Sequence, residues 1–477
     1  MAKHDSEEPG KGLGKRRAKL RFLRELARAC AFVPRMALAM PLQGRERERT
    51  RRLLAAAPSP DVRRQANDDA RRRFRTRLVR GPDAPPGATA ADFTVRRVFV
   101  SCGEASGEEH ATAFVHALRA LAPDTRFTGF GGSALEAAGV DVRIKLVDHA
   151  IMGFSAVLGQ VPFFASVVER FVDTLVSERP DVVVLVDYPG LHLILAEEAQ
   201  RLGVPVLFYV CPQYWAWAPW RMQRFRRAVD GAIAILPFEP PLFERHGVPT
   251  AFAGNPLIDQ IPRGDRVARA ELLAILPGSR RSELKRHLEP LVDVWRRFQV
   301  RHPEARAVLP QPDERRASRV RAELDVIAAK SAPIRGLEVV QSGAIEVLQR
   351  ARAALVKSGT STLQTALCRT PQIVFYKSSG RSEVLLARGF LSSAFIAAPN
   401  LVLGREAVPE RHFAAARVWA EIEAKLEEIW MDGPAREAQL QACDEVRARI
   451  QGDGASREVA RWLVSDAALE DARNKRA

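Results

Sequence analysis

From Val95 onward the chain repeats one device. Short apolar, β-branched runs at 95–100, 126–130, 182–186, 206–210 and 231–236 alternate with longer stretches of helical periodicity. A second series follows at 272–276, 307–309, 337–340, 353–356 and 372–376. Runs this apolar belong to strands covered on both faces, and helices between them are the crossovers that parallel strands require. The pattern predicts an α/β chain of two doubly wound Rossmann-like domains facing a cleft, over 94–265 and 266–415. Residues 416–477, rich in Ala, Glu, Arg and Leu, read as helices, and 1–93 as a basic arm with a linker. No repeat at solenoid periods is present.

A chain of 477 residues, 47% hydrophobic and 27% charged, can bury sizeable cores, which excludes a disordered or fibrous protein. Its apolar runs fall well short of the roughly 20 residues a spanning helix needs. Residues 1–20 are polar and basic without an apolar centre, so no secretory signal is expected and the body is read as cytoplasmic. Cys30, Cys102, Cys211, Cys368 and Cys443 lie far apart without CxxC spacing and read as reduced packing residues.

Charge is concentrated in the arm. Residues 1–93 carry 23 Lys and Arg against 11 Asp and Glu, most of the chain's net +16. A basic arm on a near-neutral body points to an anionic partner surface, phospholipid or nucleic acid. Leu20, Phe22, Leu23, Leu26, Ala27 and Cys30 recur at helical spacing among arginines, which fits an amphipathic helix on a membrane or a solvated basic tail. The Pro/Gly run 81–87 marks the linker, and the arm is expected to be largely disordered or a short helix.

Several loops can carry chemistry. After the first strand come Gly103, Glu104, Ala105, Ser106 and Gly107, a tight turn opening a helix whose free N–H groups can face a ligand or merely close the turn. Gly278, Ser279 and Arg280 follow a strand of the second series, and Ser358, Gly359 and Thr360 follow another. Helix starts with hydroxyls and a guanidinium suit a diphosphate, although Ser279 and Ser358 equally suit ordinary capping. Asp187 closes the run 182–186, where a carboxylate can be a general base or cap its loop. No DxD occurs, so a metal-bridged diphosphate has no evident ligands, and no metal or cofactor is expected. Trp215, Trp217 and Trp220 precede Arg221, Arg224, Arg226 and Arg227, a mixture that can face lipid headgroups, sugar or bases, or pack. Phe163 and Phe164, in an apolar helical stretch, are core or an acyl-chain surface.

Taken in order, Gly103 to Gly107, Ile151-Met152-Gly153-Phe154, Cys211 to Trp217, Leu276 to Arg280, Ser358-Gly359-Thr360 and Pro399-Asn400-Leu401 resemble the lipid-A-disaccharide synthase family from about Val95 to Glu410. The resemblance implies a GT-B fold and a metal-independent, inverting hexosyl transfer. The donor would be UDP-2,3-diacylglucosamine, the acceptor 2,3-diacylglucosamine 1-phosphate and the product a β-1,6 disaccharide. It also implies peripheral attachment to the anionic inner-membrane surface rather than a nucleic-acid partner; oligomeric state is left open. By position it makes Asp187 the essential first-domain carboxylate, with Glu104 competing as base and Arg280 beside the diphosphate. Gly278, Ser279, Ser358, Gly359, Thr360 and Gln364 fall on the UDP side. Ser106, Met152, Phe163, Phe164, Trp215, Trp217 and Asn255 fall on the acceptor or lipid side. The chain departs from the family pattern at Glu108 (usually Asp), Ala156 (Glu), Asn255 (His) and Gln364 (Glu). Those departures keep two other readings open: a non-catalytic nucleotide-sugar or lipid-binding descendant, and a GT-B transferase or epimerase with another substrate.

Overall fold

A computed structural model of the chain describes residues 60–79, 91–149, 161–217, 219–261, 270–278, 280–378 and 395–474, together with Glu48, Thr50, Arg52, Leu54, Thr89, Gly380 and Ser393. The strands are β1 (Arg97–Cys102), β2 (Arg126–Phe130), β3 (Asp141–Ile144), β4 (Val182–Val186), β5 (Val206–Tyr209), β6 (Gly231–Ala234) and β7 (Thr250–Phe252), then β8 (Leu272–Leu276), β9 (Arg306–Gln311), β10 (Leu337–Gln341), β11 (Ala353–Lys357), β12 (Gln372–Lys377) and β13 (Glu410–Phe413). They form two parallel sheets, β3-β2-β1-β4-β5-β6-β7 and β10-β9-β8-β11-β12-β13. Both are doubly wound as expected. In each, strand order reverses once, between β1 and β4 and between β8 and β11, and such switch points are where open α/β sheets bind ligands.

The helices that matter below are α1 (Pro60–Leu78), α2 (Ala105–Leu121), α3 (Val161–Glu178), α4 (Pro189–Arg201), α5 (Tyr214–Trp217), α6 (Glu239–Glu244), α7 (Arg281–Arg301), α8 (Thr360–Leu367), α9 (Ala398–Leu403), α10 (Val418–Trp430), α11 (Pro434–Ile450) and α12 (Ala455–Trp462). The central strands read as apolar runs because helices cover both their faces: every residue of β4 is buried.

The described residues divide into two units, one built from 60–256 with 452–474, the other from 257–451 with Glu48, Thr50, Arg52 and Leu54. This corrects the expected division in two places. The stretch 416–477 is not one helical segment: α10 and α11 belong to the second unit, whereas α12 returns to the first, where it lies against α2. Trp462 packs on Phe74 at 5.3 Å between ring centroids, and Gly454 N–H donates to the Ala253 carbonyl at 2.8 Å.

The second correction concerns the arm. Residues 60–78 are not a detached basic tail, because α1 carries Ala70, Phe74 and Leu78 at four-residue spacing, all buried in the first unit's core. Arg75 is buried with them. Its guanidinium donates to the Phe93 carbonyl at 2.9 Å and to the Val464 carbonyl, joining α1 to the segments before β1 and after α12. Burial lowers its pKa to about 10, so it stays charged at neutral pH. The expected amphipathic helix around Leu20 to Cys30 and the linker 81–87 lie outside the described residues. Cys102, Cys211, Cys368 and Cys443 are free and buried, in keeping with a packing role.

Candidate functional site

In the first unit, β1 ends at Cys102 and the chain turns through Gly103 and Glu104 into α2. A Cβ on Gly103 would lie 2.4 Å from the Tyr188 ring, so only glycine admits that ring here. Glu104 is the residue before α2 and is half-buried, and Ser106, in its first turn, is exposed. Beside them β4 ends at Val186, and Asp187 and Tyr188 both take left-handed backbone, with φ of 53° and 51°. Neither is glycine, so each conformation costs about 1–3 kcal/mol and persists only where its surroundings enforce it.

The enforcing contacts are visible. Asp187 N–H donates to the Tyr209 carbonyl at 2.8 Å, and Pro189 begins α4 with its fixed φ. The fully buried His192 ring places Nδ1 2.6 Å from the Asp187 carbonyl oxygen and Nε2 2.9 Å from the Ser101 hydroxyl. Burial raises the Asp187 pKa above the ordinary carboxylate value, the Tyr188 backbone N–H opposes that, and the Glu104 charge adds to it. A carboxyl shifted in this direction is a better proton acceptor near neutrality than an ordinary aspartate.

Glu108, one turn beyond Glu104, does something else. Its carboxylate accepts the Leu135 N–H at 3.0 Å and lies 2.7 Å from where a Gly132 Cβ would stand, so it caps a neighbouring helix. Trp215 and Asn255, expected on an acceptor or lipid surface, are instead buried. Trp215 Nε1 donates to Glu239 at 3.3 Å and its ring meets Phe238 edge-on, while Asn255 donates to the Ile235 carbonyl at 2.8 Å. Phe164 is likewise core, and Phe163 is half-buried against His149 with ring centroids 4.4 Å apart. The Trp215 and Phe164 rings are enclosed by protein and so present nothing to lipid. Met152, Ala156 and the Trp217 side chain lie outside the described residues.

The second unit's switch point has a different chemistry. Gly278 follows β8 with φ 109°, and Gly359 follows β11 with φ 153°; here glycine carries the left-handed backbone. Arg280 precedes α7 with its side chain 58% exposed. Its backbone N–H donates to Glu283 at 3.3 Å, and the same carboxylate holds Lys357 Nζ at 2.9 Å. Burial works against the Glu283 charge, but Lys357 and Arg280 together outweigh it and hold the pKa below the ordinary value. Glu283 and Lys357 thereby tie together the two glycine loops. Ser358 gives its hydroxyl proton to the Ile396 carbonyl at 2.7 Å, so it braces the loop before α9 rather than capping α8. Gly359 and Thr360 are exposed at the start of α8, and Gln364 is half-buried one turn on, on the face of Thr360. Ser279 lies outside the described residues. Sequence reasoning missed Ser101, Tyr188, His192, Glu283 and Lys357. Lys357 had a visible signal, standing directly before Ser358 and Gly359 at a strand end, and Tyr188 and His192 directly follow Asp187.

Two Rossmann-type units with glycine turns at both switch points have the architecture of the GT-B fold. Solved structures of like fold include the S. aureus MnaA–UDP complex (13% identical, TM-score 0.52, covering 76% of this chain and 94% of that one). Another is the UDP-GlcNAc 2-epimerase of Neisseria meningitidis bound to UDP-GlcNAc (9%, TM-score 0.50, 78% and 100%). Residues 98–460 match the family model described as lipid-A-disaccharide synthetase, and the chain belongs to that family. Curated relatives include the lipid-A-disaccharide synthases of Myxococcus xanthus (33% identical, covering 77% of this chain and 97% of the relative) and Anaeromyxobacter dehalogenans strain 2CP-C (36%, 77% and 97%).

Proposed function

We propose that the chain transfers 2,3-diacylglucosamine from its UDP conjugate to 2,3-diacylglucosamine 1-phosphate, with inversion, releasing UDP and the β-1,6 disaccharide. The observation that carries this reading is the family match across both units, 98–460, in a chain whose two switch points bear the chemistry just described. Asp187 takes the proton from the acceptor hydroxyl as that oxygen bonds to the donor's anomeric carbon. The bond from that carbon to the diphosphate oxygen breaks, and its electron pair leaves with UDP. Arg280, the backbone N–H groups at Gly278 and Gly359, and the start of α8 receive the diphosphate charge, while Gln364 accepts a ribose hydroxyl.

Among the described residues no helix is long and apolar enough to cross a membrane. In this reading the two lipid substrates are met at a membrane surface, and the charge excess of residues 1–93 supports an anionic one. Mass spectrometry of products from UDP-diacylglucosamine and diacylglucosamine 1-phosphate tests the reading. The expected result is the disaccharide phosphate and UDP. UDP binding without product would favour a non-catalytic descendant, and an isomerised UDP-sugar would favour an epimerase.

A further inference from the structure

We propose that His192, seated on Ser101, is a positioning residue that locks the left-handed turn at Asp187 and Tyr188 and so aims the Asp187 carboxylate. The inference rests on Asp187 acting as the base. Its ground is the backbone. Two successive non-glycine residues at positive φ, 53° and 51°, follow the central strand β4, a conformation that side chains with a Cβ do not hold unaided. The ψ of Asp187 sets the direction of its carbonyl, and His192 grips that oxygen from α4 at 2.6 Å.

The hydrogen-bond directions are determined. A carbonyl only accepts, so Nδ1 carries the proton and donates it to Asp187; Nε2 is left as acceptor, and the Ser101 hydroxyl at 2.9 Å donates to it. Ser101 lies on β1, paired in register with Leu185 of β4, so the grip is anchored to the sheet as well as to α4. The Tyr209 carbonyl, at the end of β5, accepts the Asp187 N–H at 2.8 Å. Both the N–H and the C=O of Asp187 are thus held by neighbouring elements, which fixes the direction in which its side chain leaves the backbone. Ring packing adds to this: the His192 ring meets Tyr188 and Phe208 edge-on, at 5.8 and 6.3 Å between centroids. A neutral imidazole is what the arrangement needs, and complete burial favours it, with the pKa lowered to about 4.

The test uses the full chain and the two lipid substrates, with His192→Leu and His192→Asn compared. Asparagine places its Nδ2 where imidazole has Nδ1 and can still donate to the Asp187 carbonyl; leucine cannot. His192→Leu is expected to lower kcat about 10-fold or more with little change in the KM for the UDP-sugar, and His192→Asn to restore most of it. The pH profile of kcat in His192→Leu should shift to lower pH as the Asp187 carboxyl swings toward water. In an Asp187→Asn background, His192→Leu should cost almost nothing further, because both changes act through one group. Melting curves separate misfolding from misalignment, and Ser101→Ala offers a milder variant should His192→Leu not fold; its kcat is expected to fall about 2- to 5-fold. A folded His192→Leu protein with normal kcat and pH profile, a normal Ser101→Ala protein where His192→Leu does not fold, or losses that multiply with Asp187→Asn would overturn the proposal. Near-normal turnover of Asp187→Asn alone would instead remove the base. The grip is then judged by a crystal structure of His192→Leu or, should that not fold, of Ser101→Ala: relaxation of Asp187 and Tyr188 to negative φ supports it, and unchanged positive φ overturns it.

Discussion

The two switch points occupy equivalent places in equivalent sheets, yet they spend left-handed backbone differently. In the first unit Asp187 and Tyr188 adopt it, and in the second Gly278 and Gly359 do. A carboxylate must be held in one direction to move a proton, so there the chain accepts strain and braces it with buried His192 and Ser101. A phosphate needs bare N–H groups at close approach, which glycine supplies without strain. The charges divide in the same way: the first site keeps a desolvated acid beside Glu104, and the second pairs its acid, Glu283, with Lys357. The units differ in assembly too, since the first takes helices from both ends of the chain.

That last contrast predicts the largest effect. Phe74→Ala removes a fully buried ring shared by α1 and α12 and should cost about 3–5 kcal/mol, read by urea unfolding. A loss below about 1 kcal/mol would show that α1 is dispensable to the first unit. A chain shortened to begin at Phe93, which loses all of α1, is expected to be less stable for the same reason.

Turnover comes next. Asp187→Asn should lower kcat at least about 100-fold with UDP binding kept, while Arg280→Ala should lose about 100-fold and weaken UDP as well. Equal loss of UDP affinity in both would erase the division between proton and phosphate chemistry. Acidification probes the brace. Burial holds the His192 imidazole at about 4 against about 6.5 when unfolded, so its stabilising share is complete above pH 6.5 and is withdrawn, by up to ~3 kcal/mol, as pH falls toward 4. His287 of the second unit is shifted in the same direction, so the comparison of interest is wild type against His192→Asn, which should lose less between pH 7 and 4.5. Parallel acid curves would count against it.

Gly278→Ala places a Cβ at φ 109° and 2.5 Å from Glu283, which should destabilise by about 1–3 kcal/mol and loosen UDP in calorimetry. Unchanged affinity would move the diphosphate away from that loop. The smallest effect is Gln364→Glu, expected to tighten UDP about 5-fold, since a carboxylate is the stronger acceptor for a ribose hydroxyl. No gain would place the ribose elsewhere.

Much of this was legible in one dimension. The runs 126–130, 182–186 and 272–276 coincide with β2, β4 and β8, and β4 and β8 are apolar throughout because helices cover both their faces. The edge strands β3, β7 and β13 were not foreseen: Asp141-Val142-Arg143-Ile144, Thr250-Ala251-Phe252 and Glu410-Arg411-His412-Phe413 are short, and edges tolerate polar residues. The stripe Ala70, Phe74, Leu78 stood in view but was outweighed by the arginines around it.

Sequence by itself therefore determined the fold class, the family and the loops at the strand ends, since these follow from hydrophobic periodicity and from motifs a few residues long. Tertiary structure decided what those loops do. Whether Trp215 faces lipid or lies buried on Glu239, whether Glu108 meets a ligand or caps a helix, and whether Arg75 is solvated or buried against carbonyls all depend on partners distant in the chain. Ser101 and His192 are 91 positions apart, and their hydrogen bond exists only because β1 and β4 are neighbours in the sheet. Local pattern cannot encode such a pairing, because its free energy comes from burial and geometry that arise only once the sheet has formed.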